Sequence, residues 1–226
     1  MHIGLIGGIG PAATEFYYRG LIDRHANSNT ALDLTIVHAD VRQMARNLAN
    51  RDARKQADTF APLIRRLAAA GADAAAVTSM GGHFCIRELE AMSPLPLLNA
   101  LPEVDAAIGR RKLKTVGILG TRMVMETRLY GAISAATVVV PQGAALAEVH
   151  KNYAEMATAG RVSEAQRRFF FEVGATLHRD QGAEVVLLGG TDLFLAFANA
   201  DCGFPVLDCA QVHVDALCRI ARRQLA

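Results

Sequence analysis

Short runs of consecutive apolar residues, each ending in a glycine or polar turn, constrain this chain most. "HIGLIG", "LDLTIVHAD", "ADAAAVTS", "TVGILG", "ATVVVP", "AEVVLLGG" and "FPVLDC" share this form. Most are apolar at successive positions rather than at every second one. Strands buried on both faces have this pattern, and they belong to parallel sheets covered by helices. The stretches between carry helical periodicity over residues 12–25, 54–70, 127–135 and 212–224, and in "HFCIRELEAM" and "SEAQRRFFFEVGATLHRDQG". Strand–helix alternation of this kind predicts an α/β fold.

The pattern also repeats. "IGLIGG" from Ile3 returns as "VGILGT" from Val116, 113 residues later. "GADAAAVTS" from Gly71 returns as "GAEVVLLGG" from Gly182, 111 residues later. Two landmarks in the same order predict two pseudo-symmetric, Rossmann-like α/β halves with parallel sheets. The expected division is 1–98 plus 205–226 against 99–204, with the last strand and helix crossing back to the first half. Such proteins take ligands at the carboxyl ends of their strands, here expected in an inter-domain active-site cleft. Under the second offset Ser79 corresponds to Gly190, and Met80 to Thr191.

Charge and motif content exclude several classes. The 226 residues carry 24 basic and 22 acidic side chains, a net charge of +2, with no basic stripe. No nucleic-acid partner is expected. No run reaches the roughly 18 apolar residues of a membrane span. The N-terminus lacks a basic head and its apolar stretch is broken by glycines, so it does not read as a signal peptide. Cys85, Cys202, Cys209 and Cys218 have neither metal nor disulfide spacing, which suits reduced thiols in a cytoplasmic protein. Gly4, Gly7, Gly8 and Gly10 miss the G-x-G-x-x-G spacing of a dinucleotide site. Lys55, Lys112, Lys114 and Lys151 sit in polar contexts unsuited to a pyridoxal Schiff base. No cofactor or metal is predicted.

The strand-end turns hold the chemistry. "GGIGPAAT" offers Gly8 and Ile9, with Pro11 suited to the first position of a helix; it either lines the cleft or is only a tight turn. "AVTSMGGHF" offers Ser79, Met80, Gly81 and His83. Turn N–H groups that open a helix suit an anion such as a carboxylate. "GTRMV" offers the Thr121 hydroxyl and Arg122, which pairs a carboxylate bidentately or remains a solvated charge. "LLGGTDL" offers Gly190, Thr191 and Asp192, the last either orienting a neighbour or capping a helix. "LDCAQVH" places Cys209 and His213 after the last strand, with Cys209 either a thiol acid/base or a buried bystander. Cys85 and Cys218 point into the core. Ser79 lacks the G-x-S-x-G context of a hydrolase nucleophile.

Taken together, "GLIGGIGPAAT", "RRLAAAGADAAAVTSMGGHF", "VGILGTRMVMETRLY", "GAEVVLLGGTDLFL" and "FPVLDCAQVHVDA" make the chain resemble the aspartate/glutamate racemase superfamily. The likeness is greatest to its aspartate racemase branch, whose members are PLP-independent. It implies a small carboxylate substrate, aspartate- or glutamate-like, proton transfer at the α-carbon, and a homodimer. It also implies ligand contacts at Met80, Gly81, Thr121 and Thr191, and at the backbone of Ser79 and Gly190. Ser79 and Gly190 stand where the family has its two catalytic cysteines, and Val124 where it has a threonine. A thiol with a pKa near 8.5 can be tuned toward neutral pH. A serine is a far weaker acid, and glycine has no side chain. Each lost acid/base group typically costs about 10²–10⁴-fold. The expectation is an isomerase with Ser79, His83 and Cys209 as catalytic residues. Gly8, Ile9, Met80, Gly81, Thr121, Arg122, Val124, Gly190, Thr191, Asp192 and His213 are the expected substrate-binding residues. The alternatives are a lyase or decarboxylase, with room at Gly190 for a larger substrate, or a carboxylate-binding pseudoenzyme.

Overall fold

A computed structural model describes residues 1–198 and 200–223. The chain forms two compact units, Met1–Asn99 with His213–Ala226, and Ala100–Val212.

The first unit runs β1 (His2–Gly7), α1 (Pro11–Asn27), β2 (Asp33–His38), α2 (Val41–Ala49), α3 (Ala53–Ala69), β3 (Ala74–Val77), a 3-10 turn at Gly81–Cys85 and α4 (Ile86–Glu90). Its strands form a parallel sheet in the order β2-β1-β3. Every residue of β3 is buried, as its unbroken apolar sequence requires. Ile6, Phe60, Ile64, Leu67, Cys85 and Leu89 build the core against it. Gly4 lets α3 press onto β1, since a Cβ there would stand 2.9 Å from Leu67 Cδ1.

The second unit runs α5 (Ala100–Arg110), β4 (Thr115–Leu119), α6 (Arg122–Glu126), β5 (Thr137–Val139), α7 (Ala144–Ala159), α8 (Glu164–Arg179), β6 (Val185–Leu188), a 3-10 turn at Thr191–Leu193, α9 (Phe194–Phe197) and β7 (Val206–Asp208). Helix α10 (Cys209–Arg223) begins in this unit and continues into the first. The residue at the end of the predicted final helix, Gln224, lies outside the described residues. The second sheet is parallel in the order β5-β4-β6-β7.

The two sheets repeat one another in register. Ile6 pairs with Val77, and Leu119 pairs with Leu188, residues related by the same offsets as the sequence repeat. The repeat extends beyond it. Ala75 bridges Leu97 in parallel, with Ala75 N–H donating to the Pro96 carbonyl at 3.0 Å. Val186 N–H donates likewise to the Pro205 carbonyl at 2.9 Å, at the start of β7. Each half therefore leaves its sheet through a Pro-initiated extended segment beside its last full strand. This corrects one expectation. The helix crosses back to the first unit, but β7 stays with β6, because the slot beside β3 is filled by residues 96–98.

A second correction concerns residues 127–135, expected as a helix. Helix α6 ends instead at Glu126, and Arg128, Leu129 and Tyr130 take φ values of 52°, 57° and 60°. Leu129 N–H donates to the Val124 carbonyl at 2.8 Å and Arg128 N–H to that of Met125 at 3.1 Å. This is the paired pattern of a Schellman C-cap, with buried Leu129 as its apolar anchor. Glycine is the usual residue at the left-handed position after such a helix, and Arg128 holds it here. Helices α2, α5, α7 and α9 were not anticipated.

Replacing the exposed Arg128 with glycine relieves the left-handed backbone at this cap. Arg128→Gly is expected to stabilise the protein by about 0.5–1 kcal/mol, read as a rise in the urea midpoint at unchanged slope.

Candidate active site

In the first unit the site begins where β3 ends. Thr78 N–H and Thr78 Oγ1 both donate to the Ile6 carbonyl, at 3.1 and 3.0 Å. Ser79 is then the first residue off the sheet, 4% exposed. Its Oγ and its carbonyl both receive the Gly82 N–H, at 3.2 and 3.1 Å, which starts the 3-10 turn. Gly82 cannot be larger, since a Cβ would sit 2.8 Å from Val77 Cγ1. Met80 and Gly81 are buried beside it.

His83 lies in this turn, 1% exposed, with Nδ1 2.7 Å from the Ser79 carbonyl. A carbonyl only accepts, so Nδ1 carries the proton and Nε2 the lone pair. The contact is to the backbone of Ser79, not to its hydroxyl. Burial pulls the imidazole pKa down to about 4, so the ring is neutral at pH 7.

His213 packs edge-on against His83, ring centroids 5.8 Å apart. Its Nε2–H donates to the Leu98 carbonyl at 2.8 Å, and its Nδ1 accepts the Tyr17 hydroxyl at 2.8 Å. Both ring nitrogens are committed, so His213 braces His83 and offers no nitrogen to a ligand. Burial, then the neighbouring His83, pull its pKa to about 3. Gly8 and Ile9 are likewise spent on structure. Gly8 N–H donates to Thr14 Oγ1 at 2.9 Å, its φ is 84°, and Ile9 packs in the core.

In the second unit the equivalent turn follows β6. Gly189 N–H donates to the Leu119 carbonyl at 2.8 Å, and Gly190 is the next residue. A Cβ on Gly190 would lie 2.6 Å from Tyr153 Cζ and nearer still to Cε2. The room expected at Gly190 for a larger substrate is therefore filled by the Tyr153 ring. Tyr153 is 7% exposed, and its hydroxyl donates to Asp192 Oδ2 at 3.1 Å. Burial and the Asp192 charge hold the phenol well above its usual pKa, so it stays protonated. Asp192 thus anchors a neighbour; it does not cap its helix by side chain. Thr191 Oγ1 is buried and makes no hydrogen bond of ordinary geometry among the described residues, although it lies close enough to Tyr153 to stabilise the phenolate slightly.

Thr121 caps α6, its Oγ1 accepting the Val124 N–H at 3.3 Å. Val124 is buried against the Gly189 backbone. Arg122 is exposed, 3.4 Å from Glu126 on the next turn, which is the solvated reading of that residue. Cys209 is fully buried, and burial together with Asp208 drives its thiol far above the ordinary range. A thiol so placed is neither a thiolate nor a ready acid at neutral pH.

Two residues escaped the sequence reading. Tyr153 belongs to a buried stripe of Val149, Tyr153 and Met156 on α7 and reads as core. Asp208 closes β7 opposite Leu188, and its Oδ1 accepts the N–H groups of Ala210 and Gln211 at 2.8 and 3.3 Å. Burial lifts its carboxyl to about 6. Its signal was the helix-capping position after a strand. No group of three or more potential metal ligands occurs among the described residues, and no described helix is long and apolar enough to cross a membrane.

The two histidines make stability depend on pH with a definite sign. Between the unfolded value near 6.5 and their folded values, the unfolded chain binds more protons, so stability is lost as pH falls from about 6.5 toward 4. Each contributes at most about 1.4 kcal/mol per pH unit. Asp208, raised to about 6, opposes them over the same range. His83→Gln removes one of the two histidines, so the fall in urea midpoint from pH 6.5 to 4.5 is expected to become shallower than in the wild type.

Comparison with known proteins agrees with this architecture. The profile of the Asp/Glu/Hydantoin racemase family matches residues 6–217. A Yersinia pestis protein ascribed to the Asp/Glu racemases superposes with a TM-score of 0.83 at 26% identity, covering 98% of this chain and 100% of that one. An aspartate racemase homologue from Pyrococcus horikoshii OT3 gives 0.79 at 23% identity, over 98% and 99% of the two chains. Picrophilus torridus aspartate racemase gives 0.81 at 19%, over 98% and 95%. With the family profile spanning nearly the whole length of two repeated α/β halves, the chain belongs to the Asp/Glu/Hydantoin racemase family.

Proposed function

We propose that this protein is an isomerase that moves the α-proton of a small acidic amino acid, aspartate- or glutamate-like, without a pyridoxal cofactor. The observation that carries this reading is the turn at the end of β3, which holds a neutral imidazole on the Ser79 carbonyl and keeps the Ser79 hydroxyl within the same turn. Membership of a racemase family supports the reaction class.

His83 is the stronger candidate for the base. Ser79 alone cannot abstract a proton at neutral pH, whereas His83 Nε2 carries a lone pair. The proton leaving the α-carbon forms an imidazolium, and the electron pair passes into the substrate carboxylate as an enediolate-like charge. A buried imidazole with a pKa of about 4 is a weak base by itself. A nearby negative charge raises such a value, so a substrate with two carboxylates strengthens its own base. Ser79 Oγ accepts the Gly82 N–H, which leaves its own proton to donate to a ligand.

A second reading, carboxylate binding without turnover, is favoured by the absence of any side chain at Gly190. One experiment separates the two. In D₂O with L- and D-aspartate and glutamate, the wild type is expected to wash out the α-proton signal. His83→Gln is expected to slow exchange by about 10²–10⁴-fold, with a smaller loss for Ser79→Ala and none for Cys209→Ala. Ligand-induced thermal stabilisation without exchange would establish the binding reading. Exchange indifferent to His83→Gln would remove His83 from its role.

A further inference from the structure

Three rings from separate stretches of the first unit stand edge-on to one another. Tyr17 of α1 meets His213 of α10 with ring centroids 5.5 Å apart at 79°, and His213 meets His83 of the 3-10 turn at 5.8 Å and 77°. All three are buried, Tyr17 completely. The sheet fixes one anchor of this row. Leu98 N–H donates to the Ala75 carbonyl at 2.8 Å, which pins the Leu98 carbonyl where it receives His213 Nε2–H. That contact leaves the His213 ring a single basic position, the Nδ1 lone pair, and the Tyr17 hydroxyl donates into it at 2.8 Å. His83 is tied in the opposite sense. Its Nδ1–H is held by the Ser79 carbonyl, so its basic position is Nε2. Tyr17, His83 and His213 are the titratable groups that face one another here, from α1, the 3-10 turn and α10.

We propose that Tyr17 is a positioning residue whose hydroxyl occupies the Nδ1 lone pair of His213 and so directs any proton taken up by the histidine pair to His83 Nε2. The proposal rests on the α-proton chemistry proposed above and specifies where the abstracted proton stays. The bond from the α-carbon to hydrogen breaks, the new N–H forms at His83 Nε2, and the electron pair remains on the enediolate-like substrate anion. His213 takes no proton, because Nδ1 gains one only by giving up the hydrogen bond it accepts from Tyr17. A hydrogen bond to the neutral form of a base opposes its protonation, and a cation at His213 would repel the imidazolium forming beside it. Tyr17 therefore keeps the second ring from competing with the base or weakening it.

Tyr17→Phe keeps the ring and removes only the hydroxyl. Side-chain ¹⁵N spectra of the two histidines, followed from pH 7 to pH 5 with aspartate present, read the consequence. In the wild type His83 should gain a proton first, while His213 remains the Nε2–H tautomer throughout. In Tyr17→Phe the His213 Nδ1 signal should move toward that of a free imidazole nitrogen, and its protonation should move up by about one pH unit. Protonation of His213 before His83 in the wild type would overturn the proposal. So would a His213 signal indifferent to loss of the hydroxyl. The wild-type spectra decide the matter should Tyr17→Phe fail to fold.

A second readout is the pH profile of α-proton exchange. The acid limb of kcat/KM should move up in Tyr17→Phe together with the His213 protonation. In a His213→Gln background, which has no second imidazole to protonate, Tyr17→Phe should leave the limb where it is. A role in packing alone would lower the rate at every pH in both backgrounds, and that result would overturn the proposal. Absence of any exchange would sink the proposed reaction instead. The order in which the two histidines protonate needs no turnover and would then decide the role of Tyr17 by itself.

Discussion

The last hydrogen bond of each central strand pair governs the rest of the architecture. In one unit Thr78 closes the ladder onto the Ile6 carbonyl with both its N–H and its hydroxyl; in the other Gly189 closes onto Leu119. Strands β3 and β6 are only four residues long and buried throughout, so every backbone group in them must find a partner within the protein. The ladder stops where the chain lifts off the sheet, and the next residue in each case, Ser79 or Gly190, is the first released from that obligation. Both turns are tight enough that neighbouring positions accept only glycine. Each turn is thus a by-product of how its own parallel sheet ends.

Burial decides the chemistry available at these ends. In a low-dielectric setting the charged form of each group is penalised, so His83 and His213 stay neutral while Cys85, pushed up to about 12, and Tyr153 stay protonated. The turn after β3 therefore presents neutral donors and acceptors rather than fixed charges. Such a place favours a ligand that brings its own charge, since a carboxylate arriving there both receives hydrogen bonds and alters the proton affinity of the groups around it. His213 matters through what it fixes. With one nitrogen on Tyr17 and the other on Leu98, it forms a rigid wall behind His83.

Much of this was legible in the sequence, and the failures have physical causes. The unbroken apolar strands and their offset repeats foretold two parallel α/β halves, because burial on both faces leaves no freedom in composition. The repeat misled only at its end, where residues 96–98 occupy the slot that β7 was expected to take; a bridge of so few residues leaves no periodicity to read. The cap after α6 was hidden because Arg128 stands at a position where glycine would have announced it. The turns themselves were found from strand-end glycines and polar residues, but what each side chain does there was not. His213 and His83 look alike in sequence, and only the tertiary contacts show that both His213 ring nitrogens are committed. Tyr153 was invisible for a related reason. An aromatic residue at helical spacing among apolar neighbours reads as core, and nothing local says that its ring meets the α-carbon of a glycine some 37 residues away.

The proposed proton transfer depends on the state of the His83 ring. Site-specific ¹⁵N NMR of the histidine side chains at pH 7, with and without aspartate, reads it directly. A neutral ring protonated on Nδ1, whose Nε2 signal shifts on adding aspartate while His213 remains unmoved, is the predicted result. A His83 already protonated in the free protein, or one whose signals ignore the ligand while those of His213 respond, would contradict it.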